Sequence, residues 1–188
     1  MPVLELATTG EGGVHMENRV LMAYATKRGA TAEIAEKIGE VIRSNGIQVD
    51  VLPAGQVKDL TPYTAVVLGS ASYIGQWRKD AVNLLKENEK SLSTIPVWLF
   101  SSGPTEKGDP VELLKGWLYP NGLQPVIERI KPRGITVFHG VITREKLNFL
   151  EKWMLKTVKS PIGDLRDWDV IAAWASTIAE ELKQQAKQ

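Results

Sequence analysis

The sequence contains no cysteine and only two histidines among its 188 residues. The lack of cysteine excludes disulfides, thiolate metal sites and cysteine nucleophiles, although it leaves the redox compartment open. His15 and His139 lie too far apart in the sequence to indicate a local metal-binding motif. The chemistry of this protein must therefore be sought in other residue types.

A strong net charge and a long apolar run are also missing. The formal net charge is only +1, which is not typical of a nucleic-acid-binding protein or of an acidic carrier. No apolar run approaches the roughly 20 residues that a membrane-spanning helix needs. The N-terminus lacks the basic region and apolar stretch of a secretory signal. We therefore expect a soluble, cytoplasmic protein that does not bind nucleic acid.

The composition is that of a globular protein, since 43% of the residues are hydrophobic. The length suits a single domain with a substantial core. We expect residues 1–17 to form a loose or non-native extension, with Met16 as a natural start. Residues 18–188 are expected to form the single domain.

Short β-rich runs alternate with segments of helical periodicity along this domain, a pattern typical of a parallel α/β sheet. Strands are predicted at Arg19–Tyr24, Ile47–Leu52, Ala65–Gly69, Pro96–Phe100 and Ile135–Val141. Helices are predicted at Ala32–Asn45, Asp80–Ser91 and Trp168–Gln185. Five parallel strands with helices between them make a doubly wound sheet, for which the Rossmann and flavodoxin-like strand orders are the main candidates.

In both strand orders, ligands bind at the carboxyl ends of the strands, so the loop after each strand is informative. The loop after the first strand reads ATKRGAT and leads into a helix, whose N-terminal amides and dipole can bind phosphate. Two hydroxyls can donate hydrogen bonds there, one glycine allows close backbone approach, and two cations add positive charge. The predicted phosphate-binding residues are Thr26, Lys27, Arg28, Gly29, Ala30 and Thr31.

The spacing in this loop matches neither the dinucleotide fingerprint nor the P-loop. One glycine among hydroxyls suits a phosphate monoester better than a pyrophosphate. The alternative is that Thr31 is only a helix cap and Gly29 only a turn residue.

The loop after the third strand, GSASYIGQW, combines small residues with two aromatic ones. An aromatic side chain there can stack on a flat ligand while backbone groups bind its polar rim. The predicted contacts are Ala71, Ser72, Tyr73, Ile74, Gly75 and Trp77. The alternative is that Tyr73 and Trp77 are ordinary packing residues at the start of a helix.

The loop after the fourth strand, SSGPTEKGD, has the small, Gly- and Pro-containing composition of a rigid binding loop. Ser102, Gly103 and Pro104 are the predicted contacts, and a plain surface turn is the alternative. The three loops converge only if the strand order is correct.

The segments VLMAYATKRGATAEIAEKIGEVI, AVVLGSASYIGQW and VWLFSSGP, in this order and spacing, resemble the flavodoxin family. The resemblance implies a strand order of 2-1-3-4-5 and FMN as the cofactor. It implies that the first loop holds the FMN phosphate and that the other two bracket the isoalloxazine ring. Thr26, Gly29 and Thr31 match the T-x-T-G-x-T motif of the family, and Arg28 replaces its central threonine. It also suggests that the Gly75 peptide flips with the redox state.

Two features depart from a simple flavodoxin. Between Glu128 and Lys159, eight cations and three anions give a local net charge of +5. An extra amphipathic helix is predicted at about Glu145 to Lys159, with lysines on one face. Either this helix packs on the sheet with solvated lysines, or it contacts a membrane surface or an anionic ligand.

The C-terminal segments KWMLK and DWDVIAAWA resemble those of the flavodoxin-fold menaquinone-dependent protoporphyrinogen oxidases. This resemblance implies oxidation of protoporphyrinogen in haem biosynthesis, with a quinone as electron acceptor and at most peripheral membrane contact. Two alternatives stay open: an electron-transfer module with a protein partner, and a phosphate-ligand-binding domain without flavin. No acid/base pair is evident in the sequence, and none is required if FMN carries the redox chemistry.

Overall fold

The computed structural model describes residues 18–103, 107–142 and 163–186. It confirms the α/β fold, with helices packed on both faces of a mainly parallel sheet. The strands are β1 Arg19–Ala25, β2 Gln48–Pro53, β3 Ala65–Tyr73, β4 Gln76–Trp77, β5 Val97–Ser102, β6 Gly134–Phe138, β7 Val141–Ile142 and β8 Gly163–Asp164. The helices are α1 Ala30–Ser44, α2 Lys79–Glu87, α3 Glu89–Leu92, α4 Pro110–Leu113, α5 Gln124–Ile130 and α6 Trp168–Gln185, with 3₁₀ turns at Ala54–Gln56 and Asn121–Leu123.

The main sheet has the order β2-β1-β3-β5-β6, and all neighbouring strands in it run parallel. The predicted order 2-1-3-4-5 is confirmed, because the fourth and fifth predicted strands are β5 and β6. The short strand β4 was not predicted; it folds back antiparallel on the end of β3. Strand β2 forms one edge of the sheet, as the alternation of apolar and polar residues in its sequence suggests.

The central strands are continuously apolar because alternate side chains enter two different cores. On one face, Val20, Met22 and Phe100 pack against α1 and α6. On the other face, Leu21 and Leu99 pack against α2, α3 and α5. Burial on both faces is the physical reason why these strands are recognisable as short, unbroken hydrophobic runs.

Three predicted elements differ from the structure, the first being β3, which runs to Tyr73 rather than ending at Gly69. The helix predicted over Asp80–Ser91 is two helices, α2 and α3, because Asn88 leaves helical geometry and its side-chain amide donates to the carbonyl of Leu84. The strand predicted over Ile135–Val141 ends at Phe138, and Val141 pairs instead with Asp164 in a separate two-stranded ribbon, β7-β8.

The start of α1 also differs from the prediction in a way that matters for the site. The helix begins at Ala30 rather than Ala32, so Ala30 and Thr31 belong to its first turn. The final helix, α6, has the bounds predicted from its periodicity. The predicted helix at Glu145–Lys159 and the N-terminal extension lie outside the described residues. Within the described ranges, no helix is both long and apolar enough to cross a membrane.

Candidate functional site

The carboxyl ends of β1, β3 and β5 lie side by side at one edge of the sheet. Ala25 is paired with Ser70, and Ala71 is paired with Ser102. The three loops identified in the sequence therefore leave the sheet at neighbouring positions. This is the edge at which open α/β sheets bind their ligands.

Each pair of loops is joined by a direct contact. The Lys27 ammonium lies 4.2 Å from the ring centroid of Tyr73, which joins the first and second loops. Thr31 Oγ1 and Ser102 Oγ are 2.9 Å apart, which joins the helix after the first loop to the third. A Cβ added to Gly103 would lie 3.1 Å from the Cβ of Ser72, so the second and third loops are also in contact. The convergence of the three loops, expected from the sequence, is present in the structure.

The first loop is closed by its own threonine. Thr26 Oγ1 accepts a hydrogen bond of 2.9 Å from the Gly29 amide, while the hydroxyl proton of Thr26 stays able to donate. Gly29 has φ of 95° and ψ of −21°, a backbone conformation that side-chain-bearing residues rarely adopt. No atom lies within 4 Å of the position of a Cβ at Gly29. The glycine is therefore required by the turn rather than by a packing contact.

The N-terminus of α1 has no side-chain cap. Gly29 is the N-cap residue and makes no side-chain hydrogen bond, whereas Asp109 and Asp167 accept two amide hydrogen bonds each at the starts of α4 and α6. The first amides of a helix have no acceptor within the helix itself. A 15-residue helix that presents such amides and its positive dipole end at the edge of the sheet suits a phosphate group.

Thr31 lies in the first turn of α1 and is almost fully buried. Its hydroxyl shares a hydrogen bond with Ser102, which is also buried. Each hydroxyl has one donor and two acceptor sites, so one of the two can still donate beyond this bond. Thr31 is therefore not a helix cap, and its hydroxyl fixes α1 against β5.

The second loop is a tight hairpin between β3 and β4. Tyr73 pairs with Gln76, and the two residues between them, Ile74 and Gly75, both have positive φ, of 51° and 67°. Such turns favour Asn and Gly, so an isoleucine in this conformation is strained. Ile74 is 75% exposed and Tyr73 is 37% exposed. The tip of this hairpin thus presents an aromatic and an aliphatic side chain beside the first loop.

Trp77 lies below this hairpin and not at its surface. It is only 6% exposed, and its indole Nε1 donates a hydrogen bond of 2.7 Å to Ser101 Oγ. The same serine hydroxyl donates to the carbonyl of Leu118, also at 2.7 Å. These contacts favour the packing alternative for Trp77 and leave Tyr73 as the aromatic residue at the surface of this loop.

Replacing Ser101 with alanine is expected to lower the free energy of unfolding by about 1–3 kcal/mol, because it leaves the indole N–H of Trp77 and the carbonyl of Leu118 without their partner. Urea denaturation measures this loss. Ser93→Ala is the matched control, since the exposed Ser93 hydroxyl donates to the backbone carbonyl of Lys90 and its removal should cost less than about 0.5 kcal/mol. Equal losses in the two variants would contradict the structural role of Ser101.

The third loop begins at Gly103, whose amide donates to the carbonyl of Phe138 at 3.1 Å. This bond holds the loop against the end of β6. Ser102 and Gly103 lie at the candidate site, whereas Pro104 lies outside the described residues. The remaining predicted contacts, Ala71 and Ser72, line the end of β3.

Arg166, which precedes α6, was not among the predicted site residues but contacts the first turn of α1. Its side chain is 6% exposed, and its Nη1 lies 2.7 Å from Glu33 Oε2 and 3.3 Å from the carbonyl oxygen of Ala30. The pKa of Asp164 is lowered chiefly by its hydrogen bond with the Arg166 side chain. The surrounding sequence, GDLRDWD, places acidic residues next to Arg166 but contains no signal for its contact with α1.

Comparisons with known proteins agree with this geometry. A sequence model of the Flavodoxin domain family matches residues 21–168. The protoporphyrinogen IX dehydrogenase [quinone] of Escherichia coli K12 is 21% identical over 172 residues, covering 86% of this chain and 94% of that protein.

Solved structures show the same fold. A flavodoxin from the domain Archaea superposes with a TM-score of 0.56 at 15% identity, covering 88% of this chain and 99% of the archaeal one. The Flv1 flavodiiron core from Synechocystis superposes with a TM-score of 0.58 at 14% identity, and the match covers 90% of this chain and 37% of the Flv1 chain.

The site suits the phosphate of a flavin mononucleotide. The uncapped N-terminus of α1, the hydroxyl of Thr26 and the open space around Gly29 supply donors and room for one phosphate group. The family model spans most of the chain and includes all three loops. The chain therefore belongs to the flavodoxin family, and its cofactor is FMN.

Proposed function

We propose that this protein is an FMN-dependent oxidoreductase of the protoporphyrinogen–quinone type, with a role in haem biosynthesis. The proposed substrate class rests on the similarity to protoporphyrinogen IX dehydrogenase [quinone], which extends over 94% of that protein. The proposed redox chemistry rests on the convergence of the three loops at the start of α1, where Gly29 is the N-cap residue.

In this proposal, FMN supplies the exchange of electrons and protons, and the chain binds and orients it. The phosphate is held by residues 26–31, with amides of the first turn of α1 and the Thr26 hydroxyl as donors. Residues 71–75 and 102–103 flank the ring, with Tyr73 as the aromatic contact. Because Thr31 is hydrogen-bonded to Ser102, the distance between the phosphate-binding end and the ring-binding end of the site is fixed.

The electrons pass from the porphyrinogen to a quinone. Each pair of electrons removed from the porphyrinogen, with two protons, reduces one quinone to its quinol. The basic region between Glu128 and Lys159 carries a local charge of +5, which suits contact with an anionic membrane surface where quinones reside. This contact is peripheral.

An electron-transfer role without a small-molecule substrate is the second candidate. It is favoured by the exposed tip of the β3–β4 hairpin, where Tyr73 and Ile74 lie beside the site. An exposed apolar tip of this kind suits transient docking of a redox protein. The two candidates share the cofactor and differ only in the partner.

The first experiment tests the cofactor. Purified protein is stripped of ligand and titrated with FMN and with riboflavin, which lacks the phosphate, while flavin fluorescence and the visible spectrum are recorded. We expect FMN to bind at least about 10-fold more tightly, as expected for a phosphate held by several amides and hydroxyls. If neither FMN nor riboflavin binds, the proposal is refuted, and a phosphate-ligand-binding domain without flavin is favoured.

The second experiment tests the substrate. The FMN-loaded protein is mixed anaerobically with protoporphyrinogen IX and a menaquinone analogue, and porphyrin fluorescence is followed against an autoxidation control without protein. We expect quinone-dependent formation of protoporphyrin. Bound FMN without any porphyrin above the control would reject the protoporphyrinogen proposal and leave the electron-transfer role.

A further inference from the structure

Arg166 links the segment before α6 to the first turn of α1. Its guanidinium contacts Glu33 at 2.7 Å and Asp164 at 2.6 Å, and its Nε donates to the other Asp164 oxygen at 2.9 Å. One face of the guanidinium covers the ring of Trp168, at 4.5 Å from its centroid. A guanidinium held by two carboxylates, a carbonyl and an aromatic face has a defined position, unlike a mobile surface cation.

The contact with Glu33 is notable because of where that carboxylate lies. Glu33 is the acidic residue of the first turn of α1, and its amide donates to the carbonyl of Gly29. A carboxylate in the first turn stabilises the helix itself, but it repels a second anion at the same N-terminus. A phosphate group carries nearly two negative charges at neutral pH. A cation in direct contact with Glu33 therefore favours phosphate binding, in addition to Lys27 and Arg28 of the loop itself.

We propose that Arg166 is a positioning residue for the phosphate of the cofactor: it offsets part of the negative charge of Glu33 and thereby favours binding of a phosphate dianion at the first turn of α1. Arg166 acts through Glu33 and the Ala30 carbonyl and does not itself reach the cofactor. This inference rests on the proposed binding of FMN at residues 26–31. It adds a residue distant in sequence, 136 positions from Ala30, to the machinery of that site.

A purely structural role for Arg166 makes a different prediction. If the guanidinium only ties residues 163–168 to the domain, its loss should disturb the whole site and weaken FMN and riboflavin equally. If it offsets Glu33, its loss should weaken FMN selectively, since riboflavin has no phosphate. The ratio of the two affinities therefore separates the two roles.

The test compares FMN and riboflavin binding to the purified full chain and to Arg166→Gln. We expect the preference for FMN over riboflavin to fall about 10-fold in the variant, and the loss to shrink at high salt. Arg19→Gln is the matched control: Arg19 also pairs with a carboxylate, Asp50, but it lies at the start of β1, at the opposite edge of the sheet from the three loops, and its loss should leave the preference unchanged. A proportional loss for both flavins in Arg166→Gln would overturn the proposal.

A second pair of variants keeps the test decisive if Arg166→Gln folds poorly. Glu33→Gln removes a half-exposed carboxylate and should raise the preference for FMN about 3-fold, because Arg166 then has one fewer anion to offset. The double variant Glu33→Gln/Arg166→Gln should recover most of the preference lost in Arg166→Gln. An unchanged preference in Glu33→Gln would overturn the proposal.

Failure of this inference is distinguishable from failure of the proposed function. If the unaltered protein binds neither flavin, the proposed function fails before Arg166 is tested. If it binds FMN tightly and either the Arg166 or the Glu33 variant keeps the preference of the unaltered protein for FMN, only the role of Arg166 is rejected.

Discussion

Replacing Gly29 with valine is expected to weaken FMN binding by about 10- to 100-fold. At φ of 95°, a β-branched residue is strained by about 1–3 kcal/mol, so in the free protein the loop relaxes to a different conformation. Binding must then restore the strained turn, and each 1.4 kcal/mol of that cost lowers affinity about 10-fold. No atom crowds the Cβ position, so steric overlap does not contribute.

Gly46→Val is the matched control for this prediction. Gly46 has φ of 82°, and its Cβ position is equally open, but it lies beyond the opposite end of α1. Both variants should lose a similar amount of stability in urea denaturation, whereas only Gly29→Val should lose affinity in a fluorescence titration with FMN. Equal affinities in the two variants would show that the turn at Gly29 does not shape the cofactor site.

Replacing Phe100 with alanine is expected to lower the free energy of unfolding by about 3–5 kcal/mol. Phe100 is fully buried in β5 and contacts the rings of Phe138 and Trp174, with centroid distances of 5.4 and 6.0 Å. Its ring also fills the space beside Gly69, where an added Cβ would lie only 2.0 Å from a ring atom. Removing the ring leaves a cavity between the sheet and α6 that the surrounding side chains cannot close.

The loss is measured by urea denaturation followed by tryptophan fluorescence and circular dichroism. Tyr73→Ala is the control, because this exposed aromatic ring contributes little buried surface and its loss should cost less than about 1 kcal/mol. A loss in Phe100→Ala no larger than in Tyr73→Ala would contradict the packing described for β5.

The sheet was predictable because its strands carry a strong local signal. Residues such as Val20, Leu21 and Met22 face alternate cores, so the strand appears in the sequence as a run without polar interruption. The positions at which helices are interrupted were less predictable. Asn88 divides one predicted helix, since its side-chain amide donates a hydrogen bond to the backbone carbonyl of Leu84. Such competition between side-chain and backbone hydrogen bonds depends on local geometry, which hydrophobic periodicity does not report.

The candidate site was predictable to different degrees in its three loops. The first loop was recognisable because glycine and hydroxyl residues stand between a strand and a helix, and the turn at Gly29 has the left-handed conformation that such a glycine permits. The aromatic residues of the second loop were ambiguous. Tyr73 and Trp77 have similar sequence surroundings, yet one lies at the surface and the other is buried against Ser101.

The sequence by itself determined the α/β class, the order of the elements and the strand–turn–helix junction at Gly29, because these depend on local periodicity and on residue types that favour particular turns. Only the tertiary structure decided which side chains meet across the loops. Thr31 meets Ser102 and Glu33 meets Arg166 over long sequence separations. Among 23 basic and 22 acidic residues, many ion pairs are conceivable, and only the packing of α6 beside α1 selects this one.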